Sequence, residues 1–319
     1  MSFKNIYLAF VLALLHSFAW AQDKLNIFIA TGPTAGVYYP MGGGLADLLT
    51  KYVPSLNATA GTTAGSVANL QLMAGKRADV AFTMADASWD AFKGQQKFQG
   101  AAVPLRALMV LYPNRMHVVT VEGTGINKFS DLKGKRVSTG AVNSATEVMA
   151  QRLTEAHGMS FKDFTVERLD PGKSADAIKD KKLDAFFWVG GVPTAAVTEL
   201  AATPGMKIKL IDHEEGVAGM NKIFGPLYVR DVIPPKTYPG QDQVNRIATV
   251  WNVLVARADM SDQVAYDIIK TIFERKAEME RVHPESRNFD YKYQSNAAAV
   301  IPFHPGALKY FAEKGVKLQ

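Results

Sequence analysis

The sequence predicts an α/β protein of two domains, each a mixed, mostly parallel sheet flanked by helices, with a hinge between them. Three observations predict it. Short apolar strands alternate with amphipathic helices through most of the chain, the rhythm of a helix-covered parallel sheet. That rhythm starts afresh at Gly123, after two apolar runs, Leu105–Tyr112 and His117–Val121, that carry the chain between domains. The chain has 319 residues, enough for two domains of about 100–200 residues each.

Residues 1–21 are set apart from the fold. Lys4 supplies a positive start, Ile6–Leu15 is an apolar run, and Ala19-Trp20-Ala21 fits the small-x-small pattern of a cleaved export signal. The run is shorter than the roughly 20 apolar residues of a membrane span. An uncleaved N-terminal helix is the competing reading. Cleavage after Ala21 leaves a chain that begins at Gln22 in the periplasm. The sequence contains no cysteine, which excludes a lipoprotein anchor, disulfides, thiolate metal sites and thiol nucleophiles.

In chain order, Leu25–Ile29 reads as a strand and Tyr39–Tyr52 as a helix with Leu45, Leu48 and Leu49 on one face. Asn57–Ala60 is a strand and Val67–Gly75 a helix with Ser66 as its N-cap. Ala78–Phe82 is a short buried strand. In the second domain Ser130–Gly134 is a turn or short helix, Arg136–Ser138 a strand, and Asn143–His157 a helix capped by Asn143 or Ser144. Thr165–Leu169, Ala185–Val189 and Ile208–Ile211 follow as strands, with helices over Ser174–Lys181 and Pro193–Leu200. Tyr228–Val232 and Val250–Ala256 are strands of the last third, Gln263–Lys276 and Ala307–Lys314 its helices. The resulting division is 22–120 with 216–319 as one lobe and 121–215 as the other. Crossings near Val118–Val121 and His213–Phe224 form the hinge.

Three strand-loop-helix junctions carry polar groups to one crevice. The first, Thr31–Gly44, offers Thr31, Thr34 and the amides after Gly32 and Gly36 to a carboxylate at a helix start, with Tyr38 and Tyr39 as aromatic walls. Its alternative is a plain turn with one tyrosine in the core. The second, Thr62–Asn69, adds Ser66 and Asn69. The third, Gly140–Glu147, adds Asn143, Ser144 and Thr146, with Glu147 placed to complete a capping box with Ser144. Convergence of such junctions at strand C-termini is where small ligands bind in open α/β sheets. Trp188, before Gly190-Gly191-Val192-Pro193, reaches the cleft or stays in the core. Asp86 faces the cleft or caps the next helix.

Other functions find little support. The charge is +6, or +5 without Lys4, and the basic residues are scattered among acidic ones. No dense basic stripe argues for nucleic acid; a weak pull on anionic substrates is the most that this charge implies. The histidines show no HExxH-like spacing and no Gly-x-Ser-x-Gly elbow is present, so an enzyme is not expected. No cofactor or metal is expected either.

Thr31-Gly32-x-x-x-Gly36-Val37-Tyr38-Tyr39-Pro40-x-Gly42, Thr63-x-Gly65-Ser66-Val67-x-Asn69 and Asp131-Leu132-Lys133-Gly134-Lys135-Arg136-Val137 together resemble the TAXI family, the extracytoplasmic solute receptors of TRAP transporters. Asp184-Ala185-Phe186-Phe187 with Pro193, and His304-Pro305-Gly306-Ala307, extend the resemblance over the whole chain after the export segment. The resemblance implies a two-lobed, type II-like periplasmic binding protein, a monomer, that closes by a hinge on a glutamate-like amino acid or dicarboxylate. It implies delivery to TRAP transporter membrane subunits driven by an ion gradient. Carried over by residue, the ligand meets Thr31, Gly36, Tyr38, Tyr39, Ser66, Asn69, Asp86, Asn143, Ser144, Thr146, Trp188 and Pro193. The chain departs from the family at Ala145, where a glycine is usual, and at Met84, where a glutamine is usual; both changes argue against glutamate itself. No arginine falls at these junctions, so neutral donors are expected to hold the carboxylate. The rival readings are a receptor for a sensor kinase or an ABC transporter, and an exported enzyme on the same fold.

Overall fold

The computed structural model describes residues 24–318. The expected export segment lies outside the described residues. In chain order the strands are β1 Leu25–Ala30, β2 Leu56–Gly61, β3 Val80–Met84, β4 Leu105–Val121, β5 Arg136–Ser138, β6 Thr165–Glu167, β7 Ala185–Gly190, β8 Ile208–Leu210, β9 Val229–Ile233 and β10 Asn245–Arg257. The helices that position the site are α1 Tyr38–Tyr52, α2 Ser66–Ala74, α3 Ala85–Lys93, α4 Ala145–Ala156, α5 Pro171–Lys179, α6 Ala195–Ala202 and α7 Gly216–Phe224. Near the end, α8 Asp262–Glu274, α9 Lys276–Val282, α10 Asn296–Ala299 and α11 Pro305–Glu313 close the first half.

The strands form one sheet in the order β2-β1-β3-β10-β4-β7-β5-β6, with β8 on β4 and β9 on β10. Strands are parallel at both ends, β2-β1-β3 and β7-β5-β6. Around the two long central strands the pairing is antiparallel. The two halves are α/β units of the expected kind. The all-buried runs of β3 (Val-Ala-Phe-Thr-Met) and β7 (Ala-Phe-Phe-Trp-Val-Gly) follow from cover on both faces.

The largest difference from the sequence reading is β4. Two apolar runs broken at Pro113 were expected; the chain instead forms one strand of 17 residues. Pro113 sits opposite Trp251, next to a register shift between Trp251 and Val253 of β10. Proline lacks the ladder amide, and a bulge is where a sheet tolerates it. β4 leaves β10 and takes up β7 at Arg115, and Val118–Val121 lies inside the pairing with β7 and β8. The passage between halves is therefore nearer Tyr112–Arg115 than Val118–Val121. The second expected crossing, His213–Phe224, contains α7, which packs on α4 of the second half.

Three local expectations also change. Gly65, with φ +111°, occupies the N-cap position of α2, and Ser66 is its first residue, its hydroxyl accepting from the Met84 amide. Ser144 does cap α4 by accepting from Glu147 N, but the Glu147 carboxylate turns to Arg168 and Lys97 and forms no capping box. Pro193 follows a cis peptide and lies before α6, which begins at Ala195. Proline at the first helical turn was the expectation; Thr194 intervenes to anchor the loop through Gly191 O.

Candidate functional site

The C-terminal ends of β1, β3 and β7, and the start of α4, meet at the middle of the sheet around two small adjoining cavities. Pro33, Tyr38, Asn114, Trp188 and Val189 line both. The first is completed by Gly36, Val37, Tyr112 and Gly190. The second is completed by the starts of α2 and α4, including Ser66, Ser144 and Thr146, and by Met84.

Of the residues expected at the site, Gly36, Tyr38, Ser66, Ser144, Thr146 and Trp188 line these cavities. Gly36 is small for a reason: a Cβ there would lie 3.0 Å from the Trp188 ring. The Trp188 indole donates to Thr194 Oγ1 at 3.0 Å, which fixes the ring as a wall. Tyr38 donates to Asn252 Oδ1 and packs on Phe82, and burial pushes its phenol above the ordinary range.

The other expected residues sit elsewhere. Asn69 is fully buried and spends its amide on Thr31 O (2.6 Å) and Phe82 O (2.8 Å), pinning β1 to β3. Thr31 is buried and donates to Gly61 O at 2.6 Å. Both shape the rim without lining it. Tyr39 is exposed. Asn143 has φ +62°, and its carbonyl accepts the Ala68 amide at 3.0 Å, joining the loop before α4 to the first turn of α2. The Pro193 carbonyl lies 3.2 Å from His283 Nε2.

Asp86 neither faces the cavities nor acts as N-cap of α3, which begins one residue earlier. It is buried against Tyr228 (2.7 Å) and Arg152 (3.4 Å). Arg152 also donates to Asp90 at 2.5 Å and to Tyr228 at 2.7 Å. An arginine thus stands beside one junction, brought by α4, although none was expected there. It is committed to two carboxylates and carries no spare charge toward a ligand.

Two lining residues escaped the sequence reading. Tyr112 and Asn114 are buried on β4, and among the described residues the Tyr112 hydroxyl and Asn114 Oδ1 have no hydrogen-bond partner. Burial drives the Tyr112 phenol well above its ordinary value. Buried polar atoms without partners are rare enough to call for a cause. The signal was present as a polar pair around Pro113 in an apolar run, but a tyrosine ending such a run reads as core.

Neighbouring charges are neutralised in place. Arg115 bridges Glu285 and Asp231 at 2.9 Å each. Burial raises the Glu285 carboxyl while Arg115 opposes the rise. His117 is buried, with Nε2 2.8 Å from the Tyr238 hydroxyl and Nδ1 2.9 Å from Arg115 O. Burial lowers its pKa to about 4. With its Nδ1–H given to carbonyls, the ring accepts from Tyr238, which in turn accepts from Thr194 N at 3.2 Å. The cavity is therefore walled by aromatic faces, neutral hydroxyls and helix-start amides. Among the described residues, no cluster of three His, Cys, Asp or Glu side chains is disposed to hold a metal, and no helix is long and apolar enough to cross a membrane.

Comparison with known proteins places this arrangement in a family. The model of the NMT1-like family matches residues 29–315. A solved protein of Bordetella bronchiseptica RB50 is similar at 17% identity, covering 91% of this chain and 89% of that one, with a TM-score of 0.55. A binding protein component of an ABC phosphonate transporter from Pseudomonas aeruginosa is similar at 13% identity over 82% of this chain and 79% of that one, TM-score 0.53. At these identities the likeness is one of fold, the two-domain α/β fold of periplasmic solute-binding proteins.

Proposed function

The chain belongs to the NMT1-like family, and from that premise we propose that it is a non-catalytic periplasmic receptor that captures a small organic acid between its halves and delivers it to a membrane transporter. The cavity carries the proposal. Of the helix-start amides of α2 and α4, Ala68 N is taken by Asn143 O and Glu147 N by Ser144 Oγ; the amides ahead of them, of Ser66, Val67, Ala145 and Thr146, offer partial positive charge to an anion. Ser66, Ser144 and Thr146 stand beside them. Trp188 and Tyr38 supply the apolar walls usual in small-ligand sites.

The partner we favour is a TRAP transporter driven by an ion gradient, on the strength of the TAXI-like segments. The second reading is service to an ABC importer, the assignment printed for the phosphonate-transporter component of similar fold. In the lobe division we favour, the second lobe begins near 121 and runs past 215 through α7, to residue 224, because α7 packs on α4.

A thermal-shift screen of C4 to C6 acids and amino acids tests the receptor reading. A ligand at a hundredfold excess over Kd stabilises by about 2.7 kcal/mol. A melting temperature indifferent to every acid in the screen sinks the proposal. For the transporter, uptake in reconstituted vesicles that follows a sodium gradient supports TRAP; uptake that requires ATP supports the ABC reading.

A further inference from the structure

Tyr112 and Asn114 lie at a place where the backbone is bent to aim side chains. In the pairing of β4 with β10, Trp251 faces Pro113 while Val253 faces Val110, so β4 carries one residue more than its partner around Tyr112. Bulges of this kind re-aim side chains, often next to a site. Asn252 holds the bulge from the opposite strand: its amide donates to Tyr112 O at 3.2 Å and its carbonyl accepts from Tyr38. The bulge thus sets Tyr112 and Asn114 in the cavity lining, with the Tyr112 hydroxyl and Asn114 Oδ1 buried and without partners among the described residues.

The cavity pair has two unlike ends. The end lined by Ser66, Ser144 and Thr146 is rich in helix-start amides and hydroxyls and suits an anion. Tyr112 lines only the other, between Gly36 and Gly190. Among the described residues, no charged side chain lines either cavity. The nearest cation in the sequence, Arg115, is held by Glu285 and Asp231. A second carboxylate pushed into the Tyr112 end would be buried without a cation, and an ammonium there without an anion, both costly.

Resting on the receptor reading above, we propose that Tyr112 and Asn114 read the uncharged end of the ligand, which is a singly charged acid bearing a neutral hydrogen-bonding group at its far end. A dicarboxylate is the poorer fit. The pair satisfies its own unmet hydrogen bonds only when such a group arrives, so selectivity comes from partners left unpaired in its absence.

The test is titration calorimetry on four C4 acids that differ only at the far end: butyrate, 4-hydroxybutyrate, succinamate and succinate. The full chain after the export segment is expected to bind 4-hydroxybutyrate or succinamate at least tenfold tighter than butyrate and succinate. Tyr112→Phe and Asn114→Ala are expected to erase most of that preference. Tyr112→Phe should also raise the melting temperature of the ligand-free protein, because it removes a buried hydroxyl that has no partner, a gain that a merely structural tyrosine would not give. Succinate binding tightest, or an unchanged order of affinities in both variants, overturns the proposal and leaves the receptor reading intact. Failure of the unmutated protein to bind these four or any acid of the wider screen overturns both.

Discussion

Arg152 donates to Asp90 at 2.5 Å across the two halves of the molecule, from α4 of the second half to α3 of the first. The same guanidinium reaches Asp86 and Tyr228, and all four side chains are buried. Removing the arginine strands two carboxylates in a low-dielectric interior. Arg152→Leu is therefore expected to destabilise the protein by about 3–5 kcal/mol in urea unfolding, the scale for breaking a buried pair from one side. Combining it with Asp86→Asn and Asp90→Asn should recover more than half of that loss. A single variant within about 1 kcal/mol of the parent would show that the cluster is not sealed from water.

Acid sensitivity follows from buried histidines opposed by two carboxyls, Asp90 and Glu285. Burial lowers both His117 and His213 to about 4, so the unfolded chain takes their protons first as pH falls through 6.5 and stability is lost down to pH 4. Asp90 runs the other way. Burial raises it to about 6, with Arg152 pulling against and Asp86 adding to the rise, so its protonation favours the folded state between pH 6 and 4. Burial lowers His157, His283 and His304 in the same sense, so the lowered histidines outnumber the raised carboxyls and stability should fall with pH over that window, by about 1 kcal/mol per pH unit or more. Denaturant titrations at pH 6.5, 5.5 and 4.5 measure the slope. Asp90→Asn should make it steeper, and a flat profile contradicts the assignment.

Gly36 and Trp188 set how closely the halves approach. A Cβ at position 36 would meet the indole at 3.0 and 3.1 Å, so the ring has to yield or the halves have to part. Gly36→Val should weaken ligand affinity about tenfold or more, an overpacking cost of about 1–3 kcal/mol. Calorimetry on the best ligand of the screen decides it, and equal affinities mean the contact is dispensable.

Tyr238 links His117 to the loop that fixes Trp188. Tyr238→Phe leaves His117 Nε2 and the Thr194 amide without their partner, at about 1–3 kcal/mol for the buried groups. Chemical unfolding at pH 7 checks the size. A change below about 0.5 kcal/mol would mean that water takes the place of the phenol.

Much of the architecture was legible because local chemistry repeats its meaning. Leu25–Ala30 is a strand since its apolar run ends in Thr31-Gly32, and Ser144 caps α4 as a serine before a helix should. What stayed hidden depends on partners distant in sequence. Pro113 reads as the end of a strand, and only β10 beside it shows a bulge within one strand. Arg152 looks like a solvent-facing helix residue; its carboxylates lie 66 and 62 positions away. Asn69 was expected at the ligand, and its use in tying β1 to β3 appears only when both strands are in place.

The bulge at Tyr112 lies where β4 passes from one half to the other, so the contacts made there sit almost on the axis about which the halves would turn. Points on an axis travel little. If the halves turn about this passage, a ligand meets Tyr112 and Asn114 on β4 before Ser144 and Thr146, which α4 and its cap carry on the other half. Capture would then be ordered in time, the far end of the acid checked first at the fulcrum and its charge gripped only afterwards. A wrong ligand would be released before the costly swing is made.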